Sequence, residues 1–272
     1  MEERGAELVI IGEKINSSIK KVAAAIEKRD EEFIRKLAKD QATAGSHYLE
    51  VNAGVFVEQE KDIMQWLVQL IQDTTDVPLC IDSPNPEALE AALKVTKKKS
   101  IINSLSFEKE RYAGIIPLVK KYKTGIIALC MDDDGIPRDR EKRVEIARSL
   151  VRKLTDDGIS IEDIYLDVML QPIATDGASG KTALDTVSTI HKEFPTVHIT
   201  CGLSNGSFEM PSRRLLNHAF AVAMVAYGMD VLMVDPLDGR MMSLLSAINA
   251  VMGNDEYCGE YISAHRCGRL IV

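Results

Sequence analysis

Eight short apolar runs, each followed by a segment with helical spacing, constrain this chain more than any other feature. The runs are Leu8 to Ile11, Tyr48 to Val51, Leu79 to Ile81 and Ile101 to Ile102, then Ile126 to Cys130, Ile164 to Leu166, Val197 to Thr200 and Val231 to Val234. They are apolar nearly throughout, as parallel strands covered by helices must be. Among the intervening segments, Ile63, Trp66, Leu67, Leu70 and Ile71 form one apolar stripe. Ile146, Ala147, Leu150, Val151 and Leu154 form another, with Gly158 in the C-cap region. Asn85 is placed to cap a helix beginning at Pro86 and continuing through Leu89, Ala92 and Leu93. Leu215, Leu216, Ala219, Phe220 and Ala223, then Met241, Leu244, Leu245 and Ile248, read as two further packing stripes.

Parallel strands joined by right-handed helical crossovers can close on themselves, so the expected architecture is α/β: a single-domain (β/α)8 TIM barrel over residues 1–272. The 272 residues suit that fold, whose usual length is about 250. An open doubly wound sheet is the competitor, but the turn after the first run reads GEKINSS and lacks G-x-G-x-x-G. Residues 1–6 read as a flexible tail and 259–272 as a C-terminal cap or tail.

Composition narrows the function classes. Hydrophobic residues at 46% and charged residues at 27% suit a globular core rather than disorder. No apolar run reaches membrane-spanning length and MEERGAELVI is no secretory signal, so a cytoplasmic protein away from membranes is expected. Against 41 acidic residues stand 33 basic ones, net −8, without a basic aromatic stripe, which argues against nucleic acid. Cys80, Cys130, Cys201, Cys258 and Cys267 are scattered without C-x-x-C spacing, so neither a zinc site nor a disulfide framework is expected.

In a barrel, chemistry sits where the strands end. The first run ends in Gly12-Glu13-Lys14-Ile15-Asn16, the second in Asn52-Ala53-Gly54, the third in Asp82-Ser83-Pro84-Asn85 and the fourth in Asn103-Ser104. Met131-Asp132, Asp167, Ser204-Asn205 and Asp235-Pro236 follow the other four. Each alone is an ordinary turn or capping residue; together they point to a ligand at one mouth. Carboxylates and carboxamides without metal-ligand spacing suit a flat heterocycle with N–H and C=O edges, and no bound metal is expected. A 2-amino-4-oxo pterin is such a ring, with its amino group and N3–H pairing to a carboxylate, either Asp82 or Asp167. The acidic Asp132-Asp133-Asp134-Gly135 reads as a solvated turn lacking the remaining ligands of a calcium loop. His47, His191, His198, His218 and His265 show no motif, and His198 is a candidate to stand behind the site.

The segments IIGEKIN (10–16), YLEVNAG (48–54), MQWLV (64–68), LCIDSPN (79–85) and IINSLS (101–106) carry a resemblance, continued by MDDDGIP (131–137), IYLDVMLQP (164–172), GLSNGS (202–207) and VDP (234–236). Over nearly its whole length the chain resembles the methyltetrahydrofolate:corrinoid methyltransferases, relatives of the pterin-binding barrels of dihydropteroate synthase and cobalamin-dependent methionine synthase. The resemblance implies that Asp82, Asn103 and Asp167 hydrogen-bond the pterin ring and that Asn205 reaches pterin N5. Arg213 matches a family arginine near the site, and with the strand-end residues Glu13, Asn52, Ser204 and Asp235 it completes the expected substrate contacts. The resemblance also implies transfer of the N5-methyl group between methyltetrahydrofolate and the cobalt of a corrinoid (cobalamin) carried by a partner protein, in either direction, and a homodimer. Where the family commonly has glutamine three residues after the asparagine, this chain has Phe208. Two rivals remain open. One is a dihydropteroate synthase-like enzyme, for which Ser263-Ala264-His265-Arg266 is a weak trace of the expected anion-binding motif. The other is a non-catalytic folate-binding subunit.

Overall fold

The computed structural model describes residues 8–271; the tail expected over residues 1–6 lies outside them. Eight strands form one parallel sheet in the order β7-β6-β5-β4-β3-β2-β1-β8. They are β1 (Val9–Asn16), β2 (Tyr48–Asn52), β3 (Leu79–Asp82), β4 (Ile101–Ser106), β5 (Gly125–Leu129), β6 (Ile164–Asp167), β7 (His198–Thr200) and β8 (Val231–Val234). The helices between and after them are α1 (Lys20–Glu27), α2 (Glu31–Thr43), α3 (Glu60–Gln72), α4 (Pro86–Leu93), α5 (Lys109–Tyr122), α6 (Arg140–Asp156), α7 (Ser179–Glu193), α8 (Leu203–Gly206), α9 (Arg213–Ala226), α10 (Gly239–Val251) and α11 (Gly259–Arg266). The barrel is nearly closed. At its seam the Asp230 carboxylate stitches β7 to β8, accepting the Ile199 N–H at 2.8 Å and meeting His198 Nδ1 at 2.6 Å.

Two strands run further than their apolar runs. β1 continues through Glu13 to Asn16, with its register shifting between Gly12 and Ile15. The Lys14 N–H freed there donates to Gln41 Oε1 at 3.0 Å, so a side chain from α2 replaces a ladder bond. β4 likewise shifts register between Asn103 and Leu105 and continues to Ser106.

Asn85 caps α4 as its position predicts, accepting the Glu87 N–H at 2.9 Å. Gly158, at φ +88°, follows the end of α6 in the left-handed conformation that glycine favours. The stripe expected on α9 is a correction. Its buried face is His218, Ala221, Met224 and Val225, while Leu215 is 69% exposed and Ala219 points to solvent. His218 sits at the core side because its imidazole meets Asp238 at 2.8 Å, and that polar anchor turns the helix relative to its apolar residues. The segment expected as a cap or tail at 259–272 contains α11, whose first N–H groups donate to Asp255.

The main apolar core lies between sheet and helices. Inside the barrel Ile11, Cys80, Ile101, Ile127, Tyr165 and Val231 make a second, separate cluster. Above it, toward the carboxyl ends of the strands, the interior turns polar.

Candidate active site

Side chains two residues apart on a strand share a face, so the strands that build the apolar cluster also build the polar layer above it. Cys80 leads to Asp82, Ile101 to Asn103, Tyr165 to Asp167, and Tyr48 to Glu50 and Asn52. Neighbouring strands bring these together in register, Asn52 beside Asp82 and Asp82 beside Asn103.

On the β1–β4 side the groups form a connected network. Asn52 Nδ2 donates to Asp82 Oδ2 at 2.9 Å, and Asn52 Oδ1 accepts from the Ser17 hydroxyl and the Gly54 N–H. Glu50, 4% exposed, accepts from Asn16 Nδ2 at 3.2 Å and Asn103 Nδ2 at 3.4 Å. Burial, with Asp82 and Glu13 nearby, pushes the Glu50 carboxyl up to about 8. Glu13 rises to about 7, from burial and then the charge of Asp235, against the pull of Lys14. Asp82 is also raised by burial, offset by the Asn52 bond and the charge of Arg111. Arg111 stands behind the wall and ties the loop after β3 to the irregular middle of β4 by donating to Ser83, Pro84 and Ser104 carbonyls.

Across the mouth, Asp167 accepts the Met169 N–H at 2.7 Å, a turn made by Met169 at φ +59°. Burial raises its carboxyl to about 6, opposed by the Met169 and Gly202 N–H bonds and by Arg143. Arg143 is fully buried and cross-braces two loops, donating to the Pro137 carbonyl after β5 and to Val168, Met169 and Gln171 oxygens after β6.

The loop after β7 is built differently. A Cβ on Gly206 would fall 2.5 Å from Leu170 Cδ2 and 2.8 Å from Phe220 Cε2, so that glycine is required by close approach, whereas one on Gly202 would fall 2.8 Å from Asn205 Nδ2 and push that amide aside. Arg213 fixes the loop from α9, donating to Ser204 O at 2.7 Å and Ser207 Oγ at 3.2 Å, with its guanidinium 5.8 Å from the Phe208 ring. Asn205 itself is exposed, and its side-chain amide makes no hydrogen bond among the described residues. Phe208 is 52% exposed on the same loop. A cavity of about 580 Å³ joins this loop to the first and last strands, lined by Glu13, Ser204, Arg213, Asn217, His218 and Asp235. Asp235 pairs with Lys14 at 2.9 Å.

Of the residues singled out in the sequence, Asn52, Asp82 and Asn103 fall together on one wall, Asp167 stands on the β6 side, and Glu13, Ser204, Arg213 and Asp235 share the cavity. Three features were missed. Glu50 had a signal, being a lone carboxylate inside an apolar run. Arg143 and Arg111 had none, since each sits in a helix already rich in charge. His198 begins β7 at the end of the barrel away from the mouth, where it stacks on Tyr165 at 4.6 Å; it does not stand behind the site. The acidic 132–135 stretch is a turn held by the Asp132–Gly135 bridge, and among the described residues no cluster of His, Cys, Asp or Glu is arranged to hold a metal. No described helix is long and apolar enough to cross a membrane.

The family model of pterin-binding enzymes matches residues 12–235, the stretch from the first strand end to the last. The chain belongs to this family. It is 36% identical over 265 residues to the methylcorrinoid:tetrahydrofolate methyltransferase of Eubacterium limosum, covering 97% of this chain and 98% of that one. It is 29% identical to methionine synthase of Mycobacterium tuberculosis over 83% of its length, which is only 20% of that larger protein. Among solved structures, dihydropteroate synthases share the fold: that of Vibrio fischeri superposes with TM-score 0.71 at 15% identity, over 92% of this chain and 94% of the other. That of Xanthomonas albilineans in complex with 7,8-dihydropteroate gives 0.69 at 15% identity, over 93% and 95%.

Proposed function

We propose that this protein moves a methyl group between N5 of a reduced folate and the cobalt of a corrinoid carried by another protein. The observation that supports it best is the pairing of a half-buried carboxylate–carboxamide floor with an exposed, unpartnered Asn205 amide, in a chain that shares 36% identity over 265 residues with a methylcorrinoid:tetrahydrofolate methyltransferase. That relative is matched over 98% of its own length, so a barrel-sized chain suffices for the activity it is named for. Its name also favours the direction from methylcorrinoid to tetrahydrofolate. The corrinoid, as substrate, then comes from a partner protein, and a homodimer in the cytoplasm completes the reading.

In this reading Asp167, whose oxygens are fixed by two backbone N–H groups, takes the 2-amino and N3–H edge of the pterin. Asp82 and Asn103 face the opposite long edge, steadied by Asn52. Arg213 and Ser204 hold the loop that brings Asn205 to N5. Whichever way the methyl group travels, N5 carries more positive character in the transition state than a neutral tertiary amine. A carboxamide is too weak an acid to supply a proton, but its oxygen accepts from a protonated N5 and its dipole stabilises the charge developing there. Because the bond strengthens in the transition state, it speeds the reaction rather than only tightening binding.

The test is a visible-absorption assay of the cobalt centre. With a methylated corrinoid protein and tetrahydrofolate, the methyl–cobalt spectrum is expected to decay only when the enzyme is present. Product from a pterin pyrophosphate and p-aminobenzoate, with no methyl transfer, would replace this reading by dihydropteroate synthesis. Folate binding without turnover would leave a storage subunit.

A further inference from the structure

The Glu50 carboxylate lies beneath the pterin floor, 4% exposed, and accepts one amide N–H from each of two asparagines. The two are not equally free to turn. Asn16 is locked at both ends, because its Oδ1 also accepts the Ser18 N–H at 2.9 Å. Reversing it would set two donors against each other. Asn103 is held only at Nδ2, by Glu50 at 3.4 Å and more weakly by the Met233 thioether at 4.0 Å. Its Oδ1 accepts nothing from the described residues, and the side chain is half-buried next to Asp82. An amide's two ends are told apart only by the network around them, so Glu50 decides which end of Asn103 meets a ligand.

The geometry points to Glu50 as a positioning residue that turns the Asn103 carbonyl oxygen to the mouth, so that the site selects a pterin whose pyrazine ring carries an N–H over one whose ring nitrogen is an acceptor. The inference rests on the folate reading above and extends it to the oxidation state of the ring. A tetrahydropterin carries hydrogen on N8, and a fully oxidised pterin presents a lone pair there. Oxygen facing N–H is a hydrogen bond; oxygen facing a lone pair is two acceptors in contact with neither satisfied.

Protonation gives the device a sign. The ionised carboxylate accepts with both oxygens. The neutral acid has one oxygen turned donor, and since Asn16 cannot yield, that oxygen faces Asn103 and reverses its amide. The charged groups facing Glu50 are Glu13 from β1 and Asp82 from β3; β3 also presents the Cys80 thiol, which burial keeps neutral, and β4 the neutral Asn103. Burial first, and then both charges, oppose ionisation and place the change at about 8. Preference for the reduced ring is therefore strongest above that pH and weakens below it. Glu50→Gln imitates the neutral acid at every pH: Asn16 keeps the amide oxygen, and the amide nitrogen is left to face Asn103.

The experiment is calorimetric binding of tetrahydrofolate and of folic acid, under nitrogen, to the full-length wild-type protein and the Glu50→Gln variant between pH 6.5 and 9. In the wild type the preference for tetrahydrofolate is expected to grow by about tenfold across that range. In Glu50→Gln it should be lower by about tenfold at pH 9 and flat with pH. Asp82→Asn should weaken both ligands together and, by removing one charge that opposes Glu50 ionisation, move the pH trend to lower pH without abolishing it. A wild-type preference that does not change with pH, or a Glu50→Gln preference equal to that of the wild type at pH 9, overturns the role given to Glu50 and leaves the folate reading standing. Failure of the wild type to bind either folate overturns the folate reading itself. Should the variant not fold, Asn103→Ala decides instead: the preference for tetrahydrofolate and its pH trend should both be lost, and a trend that survives overturns the role given to Glu50.

Discussion

The β1–β4 wall of the mouth and the loop after β7 are built on opposite principles. On the wall nearly every polar group is already bonded to another before any ligand arrives: Ser17 to Asn52, Asn52 to Asp82, Asn16 and Asn103 to Glu50. In the loop the backbone is fixed by Arg213 and Gly206, yet the exposed side-chain amide of Asn205 is bonded to nothing among the described residues. A group that must recognise a constant ring gains from being held in advance. A group whose best bond exists only in the transition state gains from having no ground-state partner to give up. Burial follows the same division. The wall concentrates carboxyls whose affinity for protons has risen, whereas the only carboxyl in the loop is Glu209, at its far end.

Perturbing each side separately should break the two apart. The largest effect on stability is expected from Arg143→Met, which leaves four loop oxygens without their donor and should cost about 2 kcal/mol, lowering Tm by roughly 4–8 °C; thermal unfolding followed by circular dichroism measures it. Asp82→Asn should weaken tetrahydrofolate binding by about tenfold, the value of one charge-assisted bond, with folding intact; unaltered affinity would remove Asp82 from ring recognition. Gly202→Ala places a methyl where the Asn205 amide lies and should lower turnover several-fold, roughly 1 kcal/mol of lost transition-state contact, while the dissociation constant for folate stays put. A defect confined to binding would contradict the division between wall and loop.

Two smaller effects sharpen it. Glu13 binds its proton more tightly in the folded protein than a free carboxyl does, so its contribution to stability is complete below the ordinary carboxyl range and is lost as pH rises through about 7. Glu13→Gln should therefore raise Tm at pH 8 relative to wild type and leave it nearly unchanged at pH 5, as read by scanning calorimetry. Phe208→Gln, which places an amide on the exposed rim beside Arg213, should change KM for folate by less than about threefold and leave kcat alone.

Much of this was legible in the residues because barrels obey simple periods. The eight strands fall where continuous apolar runs fall, and the polar mouth falls where those runs stop. Asn85 before Pro86 foretold a capped helix because that geometry is local. What escaped was non-local. β1 outlasts its apolar run because Gln41, from α2, supplies a bond that no neighbouring residue in sequence announces. The buried face of α9 follows His218 and its partner Asp238 rather than the apolar residues, since a satisfied polar group can outweigh a weak stripe. Arg143 is one charge among many in the sequence of α6, and only the convergence of the loops after β5 and β6 on its guanidinium gives it a role. Glu50 is the instructive miss: a lone carboxylate in an apolar run was visible, but its meaning depends on Asn16 and Asn103, which reach it from two different strands.

The most direct test of the account is a single-turnover measurement at saturating tetrahydrofolate, mixing methylated corrinoid protein with wild type, Asn205→Ala or Asp82→Asn and following the cobalt spectrum. The account predicts that Asp82→Asn recovers to within about threefold of wild type once folate saturates, while Asn205→Ala remains slower by about 10²-fold with equal folate occupancy. Asn205→Ala turning over at the wild-type rate would contradict it.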